Sequence, residues 1–225
     1  MKNYILITEK SWHKKMFEHL SQRPNEKWVL IDEKSLFNIE YLNKIEADKI
    51  FIPHWSYIIP KPIWSKYECV VFHMTDLPFG RGGSPLQNLI VRGYESTKIS
   101  ALKVDEGIDT GDIYCKENLS LLGTASQIFK RSVPIITNMI ERIIDHNLEP
   151  KQQKGTSVTF KRRKPEDGKM NNIDELEKVY DYIRMLDGED YPPAFIETDN
   201  LRIEFTNAEL SENSQIKANV RILKK

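Results

Sequence analysis

Short apolar runs alternate with polar, Pro/Gly-punctuated connections along the first two thirds of the chain, and stretches with helical spacing fall between several of them. Residues 4–8, 28–31 and 49–52 read as the first three strands. Helical spacing fills 11–21, with Ser11 as its cap, and 36–47. Val70, Val71 and Phe72 form a buried strand that stops at His73 and a Pro/Gly-rich turn. Strands at 98–104 and 113–119 follow, then the longest helical stretch, 124–146, which Pro134 should kink or start afresh. Strands alternating with helices predict an α/β, Rossmann-like fold with a mostly parallel sheet over residues 1–150. The polar stretch KQQKGTS at 151–157 reads as a linker. Beyond it, a strand ending at Arg162, a helix over 173–186 and hairpin-like segments at 194–197, 201–207 and 216–223 predict a small β-rich α+β subdomain, 151–225.

The chemistry gathers where strands end. In open α/β sheets the carboxyl edge of the strands is where ligands bind, and His73 stands there. The acidic turn DEGIDTGD, 105–112, follows the strand 98–104, and two parallel neighbours would bring His73 and Asp109 to one rim. PHWSYIIP, 53–60, is a stiff loop holding His54, Trp55 and Ser56 between prolines. The loop 75–83 carries three glycines and Arg81, and Ser84-Pro85 opens a helix through Arg92 with expected capping chemistry. That start with Arg81 could hold an anion, either a ligand phosphate or a carboxylate of the protein itself. The turn after the first strand, ITEKSW, lacks G-x-G-x-x-G, which removes support for a dinucleotide.

The pattern H-x-x-x-L-P-x-x-R-G-x-x-P-x-Q, carried by His73, Leu77, Pro78, Arg81, Gly82, Pro85 and Gln87, is followed by G-x-D-T-G-D at 107–112. Together they resemble the folate-dependent formyltransferases, a family acting on glycinamide ribonucleotide, methionyl-tRNA and nucleotide sugars. The resemblance implies N10-formyltetrahydrofolate as cosubstrate, no metal, and His73 and Asp109 as catalytic residues. It implies a folate pocket from His54, Trp55, Ser56, Tyr57, Ile58, Ile59 and Pro60 with Val104, Asp105, Gly107 and Ile108. Acceptor contacts would come from Thr75, Asp76, Arg81, Gly82, Gly83, Ser84 and Gln87. In such a transfer negative charge develops on the formyl oxygen, and one donor aimed at it contributes about 3 to 4 kcal/mol. His73 is the candidate donor, with Asp109 favouring its charged form and fixing its orientation, and either group could pass protons through a water. The family usually has asparagine two residues before the histidine, where this chain has Val71. A backbone N–H, a replacement such as His54, Ser56 or Asn88, or a loss of catalysis would each answer that departure.

Composition bears on the acceptor. Lysine plus arginine equals aspartate plus glutamate at 33 each, so no overall field attracts a polyanion, and no nucleic acid is expected. The segments FKRRKPEDG, 160–168, and YIRMLDGEDYPPAF, 182–195, resemble the sugar and tRNA branches. Without a large basic appendage, the resemblance implies a sugar N-formyltransferase acting on a nucleotide-linked, UDP-type, 4-amino-4,6-dideoxy sugar in surface-polysaccharide synthesis of the pseudaminic-acid type. The alternatives are an aminoacyl group on a carrier protein, then methionyl-tRNA or glycinamide ribonucleotide, or a binding module without catalysis. MKNYILIT is too short for a signal-peptide core, no stretch approaches a membrane span, and Cys69 and Cys115 read as core residues, so a cytoplasmic protein is expected, and the resemblance leaves a homodimer open.

Overall fold

A computed structural model describes residues 1–211 and 215–225. In chain order the elements are β1 (Lys2–Ile7), α1 (Lys14–Leu20), β2 (Glu26–Ile31), α2 (Ile39–Ile45), β3 (Lys49–Ile52), α3 (Lys61–Trp64), β4 (Cys69–His73), β5 (Phe79–Gly82) and α4 (Pro85–Ile90). Next come β6 (Ser96–Lys103), β7 (Ile113–Ser120), α5 (Ala125–Asp145), β8 (Val158–Phe160), α6 (Leu176–Leu186), β9 (Ala194–Glu197), β10 (Leu201–Ser211) and β11 (Gln215–Lys224). The chain divides into two compact units that do not follow one cut near residue 150. The first is residues 1–82, 98–119 and 131–159; the second is 83–97, 120–130 and 160–225.

The first unit is built on a six-stranded sheet of order β2-β1-β3-β4-β6-β7. β1 pairs with β2 and β3, and β3 with β4, all in parallel. Both faces of these strands are covered, which is why they read as nearly continuous apolar runs. Alternation sends Ile5, Ile7, Ile31, Ile50 and Ile52 to a core with Leu42 and Ile63. Tyr4, Trp28 and Phe51 form an aromatic layer with ring centroids 5.0 to 5.9 Å apart. The α/β reading with a mostly parallel sheet therefore holds.

One direction differs from expectation. β6 runs antiparallel to β4, with Val70 opposite Lys103 and His73 opposite Ser100. Hydrophobic periodicity places a strand in a sheet but says nothing of its direction, so the expected meeting of two parallel strand ends does not occur. The acidic turn instead leaves β6 beside the amino end of β4, where the Val104 N–H donates to the Cys69 carbonyl at 2.9 Å.

Local starts and stops differ too. Ser11 is not a cap; Ser11–His13 is a 3-10 turn, and α1 follows it directly. α2 is capped by Asn38, whose side chain accepts from the Tyr41 N–H at 2.9 Å. α5 runs unbroken through Pro134. In the second unit α6 begins at Leu176, and its Arg184 is buried, donating to the carbonyls of Leu121 at 2.6 Å and Gly123 at 3.0 Å. β9, β10 and β11 form an antiparallel sheet there, with an irregular register between Thr206 and Glu209.

Beyond the end of β1 lies a buried histidine that the sequence reading did not single out. His13 Nδ1 is 2.7 Å from Thr8 Oγ1. Burial, then His54 and Lys10, push its pKa down to about 3. The unfolded chain therefore binds one proton more than the folded one between about pH 6.5 and 3, and stability falls as the pH drops through that window. Urea unfolding should show about 1.4 kcal/mol lost per pH unit below 6.5 from this group, and His13→Gln should flatten that slope. An unchanged slope in the variant would exclude His13 as the source.

Candidate active site

His73 ends β4 with its side chain almost wholly buried, and its Nε2 lies 2.7 Å from the Gly80 carbonyl oxygen. A carbonyl only accepts, so Nε2 carries the hydrogen and the ring's orientation is set. Nδ1 then lies 3.5 Å from Asp109 Oδ2. The turn that presents Gly80 is anchored on β6: Ser100 Oγ donates to the Thr75 carbonyl at 2.7 Å and accepts from the Leu77 N–H at 3.3 Å. Asp76 pairs with Lys98 at 2.9 Å and Lys116 at 2.5 Å, and Lys116 also bonds the Leu77 carbonyl. Partial burial of Asp76 works against ionisation, yet the two lysines hold its carboxyl below the usual range.

Asp109 reaches His73 from a loop rather than from a strand end. Its φ is +54°, a left-handed conformation that Asp tolerates better than most residues. One carboxylate oxygen, Oδ2, accepts the Gly82 N–H at 2.8 Å. Asp105 closes the turn, its Oδ1 accepting the Gly107 N–H at 3.1 Å and the Thr110 hydroxyl at 2.6 Å. Gly111 passes so close to the Lys103 carbonyl that a Cβ would overlap the oxygen. Gln153 completes the arrangement: its Nε2 donates to the carbonyls of Asp109 and Gly111, each at 2.8 Å, and its Oε1 accepts from Arg81. Gln153 lies in the stretch that reads as a linker. Only its three-dimensional partners distinguish it.

The loop expected to meet a pteridine is half core and half surface. Ile59 is buried in the main core with Trp55 against it, and Trp55 meets Phe37 and Tyr57 edge-on at 5.4 and 5.2 Å. His54 stands edge-on to Trp12 at 5.9 Å, Pro60 precedes α3, and Ser56 and Tyr57 are exposed. Ile58 is 82% exposed, and on the acidic turn Ile108 is 64% exposed. Lys61, just past the first loop, lies 3.8 Å from Glu106 on the second, so the two loops are neighbours. Val104 packs on the same core. Two apolar side chains left in water on adjacent loops offer surface for a flat ligand.

The expected acceptor residues separate. Arg81 and Gly82 stay at the His73–Asp109 pair. Thr75 is fully buried with its hydroxyl 3.4 Å from the Gly80 carbonyl, so its part is to hold the turn. Three others belong to the second unit. Gln87 is buried and donates to the Met185 carbonyl at 3.3 Å. Ser84 has φ +52° and caps nothing; its hydroxyl accepts from the Arg163 N–H at 3.1 Å. Gly83 donates to the Phe160 carbonyl at 3.3 Å. α4 is a short helix of six residues. Asn88 cannot replace the missing asparagine, because its amide donates to the carbonyls of Gly83 and Lys161 at 3.0 and 2.9 Å. Val71 is half-buried beside His73 in sequence and offers no side-chain donor. Among the described residues no cluster of His, Cys, Asp or Glu could hold a metal ion, and no helix is long and apolar enough to cross a membrane.

A mostly parallel α/β sheet thus carries an imidazole 3.5 Å from a loop carboxylate. The chain belongs to the formyl transferase family: the model described as "Formyl transferase" matches residues 10–131, and that described as "Methionyl-tRNA formyltransferase, C-terminal domain" matches 165–223. A solved structure of a methionyl-tRNA formyltransferase from Clostridium thermocellum is 48% identical with a TM-score of 0.97, covering 100% of each chain. The methionyl-tRNA formyltransferase of Rickettsia felis is 30% identical over 183 residues, 76% of this chain and 60% of the relative. The chain thus spans about 60% of the length of that curated relative. HypX from Aquifex aeolicus, solved with tetrahydrofolic acid, shares the fold at 18% identity and TM-score 0.75, over 93% of this chain and 38% of that one.

These relatives correct two expectations. The sugar N-formyltransferase reading gives way, because the more similar relatives bear the tRNA enzyme's name. The expectation of no nucleic-acid partner falls with it, since it rested on total charge, which says nothing of local patches. At the site itself, Gly111→Ala should cost about 1 to 3 kcal/mol, because the new methyl must displace the Lys103 carbonyl. Chemical denaturation checks this, and a variant as stable as the parent would show that the loop has room to move.

Proposed function

We propose that this chain transfers a formyl group from N10-formyltetrahydrofolate to the α-amino group of methionine carried on tRNA, with His73 and Asp109 handling the protons. The observation that carries the reading is the 48% identity to the Clostridium thermocellum methionyl-tRNA formyltransferase over the full extent of both chains. That relative has the same extent as this chain, so a compact carboxyl-terminal segment does not argue against a tRNA acceptor. Exposed Lys161, Arg162 and Lys164 supply a local cationic run of the kind phosphate contacts need, whatever the net charge. The tetrahydrofolic acid held by HypX and the exposed Ile58 and Ile108 support folate as the donor.

In this reading the ring nitrogens have different tasks. Nε2 is committed to the Gly80 carbonyl, so Nδ1, beside Asp109, is left for proton exchange. It takes the proton released as the amine attacks the formyl carbon and returns it to the departing folate nitrogen. Asp109 stabilises the cationic ring meanwhile. In this reading the cationic ring would also counter the charge on the formyl oxygen, a task the family's asparagine cannot perform here because Val71 replaces it.

Mass spectrometry after incubation with formyltetrahydrofolate should show one formyl group added to methionyl-tRNA. No gain on charged tRNA, with folate still bound, would sink the acceptor assignment. His73→Asn should lower kcat on the order of a hundredfold or more while folate affinity stays within about threefold. Turnover close to wild type in that variant would remove His73 from the chemistry.

A further inference from the structure

The Gln153 amide makes four hydrogen bonds, all to the two loops that shape the site. Oε1 accepts from Arg81 Nε at 3.2 Å and Nη2 at 2.8 Å. Nε2 donates to the Asp109 and Gly111 carbonyls, both at 2.8 Å. A primary amide has two N–H groups and an oxygen with two lone pairs, so every bond it can make is made here. Its backbone is held as well: two residues earlier, Lys151 exchanges both backbone hydrogen bonds with Ile113, at 2.8 and 2.9 Å.

We infer that Gln153 is a positioning residue for the formyl-transfer site, setting where the Asp109 carboxylate stands beside His73 and how the Arg81 guanidinium is presented. Asp109 occupies a left-handed conformation that a non-glycine residue keeps only when its surroundings hold it there. Two groups do so, the Gly82 N–H on its carboxylate and the Gln153 amide on its carbonyl. Without the second, the loop is free to relax and to turn the carboxylate away from Nδ1. The same side chain orients Arg81 through a neutral acceptor. Among the described residues Arg81 forms no ion pair, so its charge stays available to an anionic group of the acceptor. A carboxylate at position 153 would bind Arg81 as well but would have no hydrogen for the two carbonyls. That asymmetry separates the two tasks.

The inference rests on His73 and Asp109 as the proton-handling pair, and its test includes a readout that needs no acceptor. Kinetics of wild type, Gln153→Leu, Gln153→Glu, Asp109→Asn and the Gln153→Leu/Asp109→Asn double variant would be measured on methionyl-tRNA. The ¹⁵N shifts of the His73 ring would be recorded without substrate. Gln153→Leu is expected to lower kcat about ten- to a hundredfold with KM for the folate donor within about threefold. Gln153→Glu should fall with it, and the ring shifts should move in both. In the Asp109→Asn background Gln153→Leu should cost little more, because it acts through that carboxylate, whereas a merely structural role would add its full cost. Full additivity, unmoved ring shifts, or wild-type kcat in Gln153→Glu would each overturn the assignment. If Gln153→Leu fails to fold, Gln153→Glu decides. If wild type formylates no tRNA, the acceptor reading alone fails, and the ring shifts still judge Gln153.

Discussion

The hydrogen bond from His73 Nε2 to the Gly80 carbonyl is the constraint on which the site depends. It decides which ring nitrogen carries the hydrogen and so which one faces Asp109. Everything around it maintains that choice. Ser100 on β6 holds the turn at both Thr75 and Leu77, and Lys116 clasps Asp76 and the Leu77 carbonyl, so the Gly80 carbonyl is delivered to a fixed point. The imidazole is thereby given a direction by backbone, and a carboxylate on a separate loop meets its other side. Polar groups held in place in this way need little reorganisation when a ligand arrives.

The parallel half of the fold was legible because its strands are buried on both faces and read as apolar runs, and 49–52 coincides with β3; in the antiparallel sheet 194–197 coincides with β9. Direction was not legible, since β6 has the same pattern whichever way it runs. Short elements escaped for want of period: α3 has four residues, and β5 exists by pairing with β8 within a stretch that reads as glycine-rich turn. Ser84 looked like a cap from residue type, but its left-handed backbone aims the hydroxyl at Arg163 instead. At the site, His73, Asp109, Arg81 and Gly82 were visible because motif spacing names them. Gln153 was not, because all four of its bonds reach groups more than forty residues away in sequence.

The acceptor was misjudged for a physical reason. Equal totals of acid and base describe the far field of a protein, whereas a nucleic acid is met at contact distance by a few cations. Lys161, Arg162 and Lys164 stand exposed within one short run, a local cluster to which total charge is blind. Summed charge therefore understated what the surface can hold.

The interleaving of the two compact units has a consequence for the order in which the chain can acquire structure. The first unit is complete only when residue 159 has been made, and the second begins at residue 83 yet waits for the last segment, 160–225. A ribosome-bound chain would thus carry 83–97 and 120–130 as unclosed pieces of the second unit while the first is being finished. A single cut can leave at most one unit whole: at 82/83 it divides the first, and at 159/160 it divides the second.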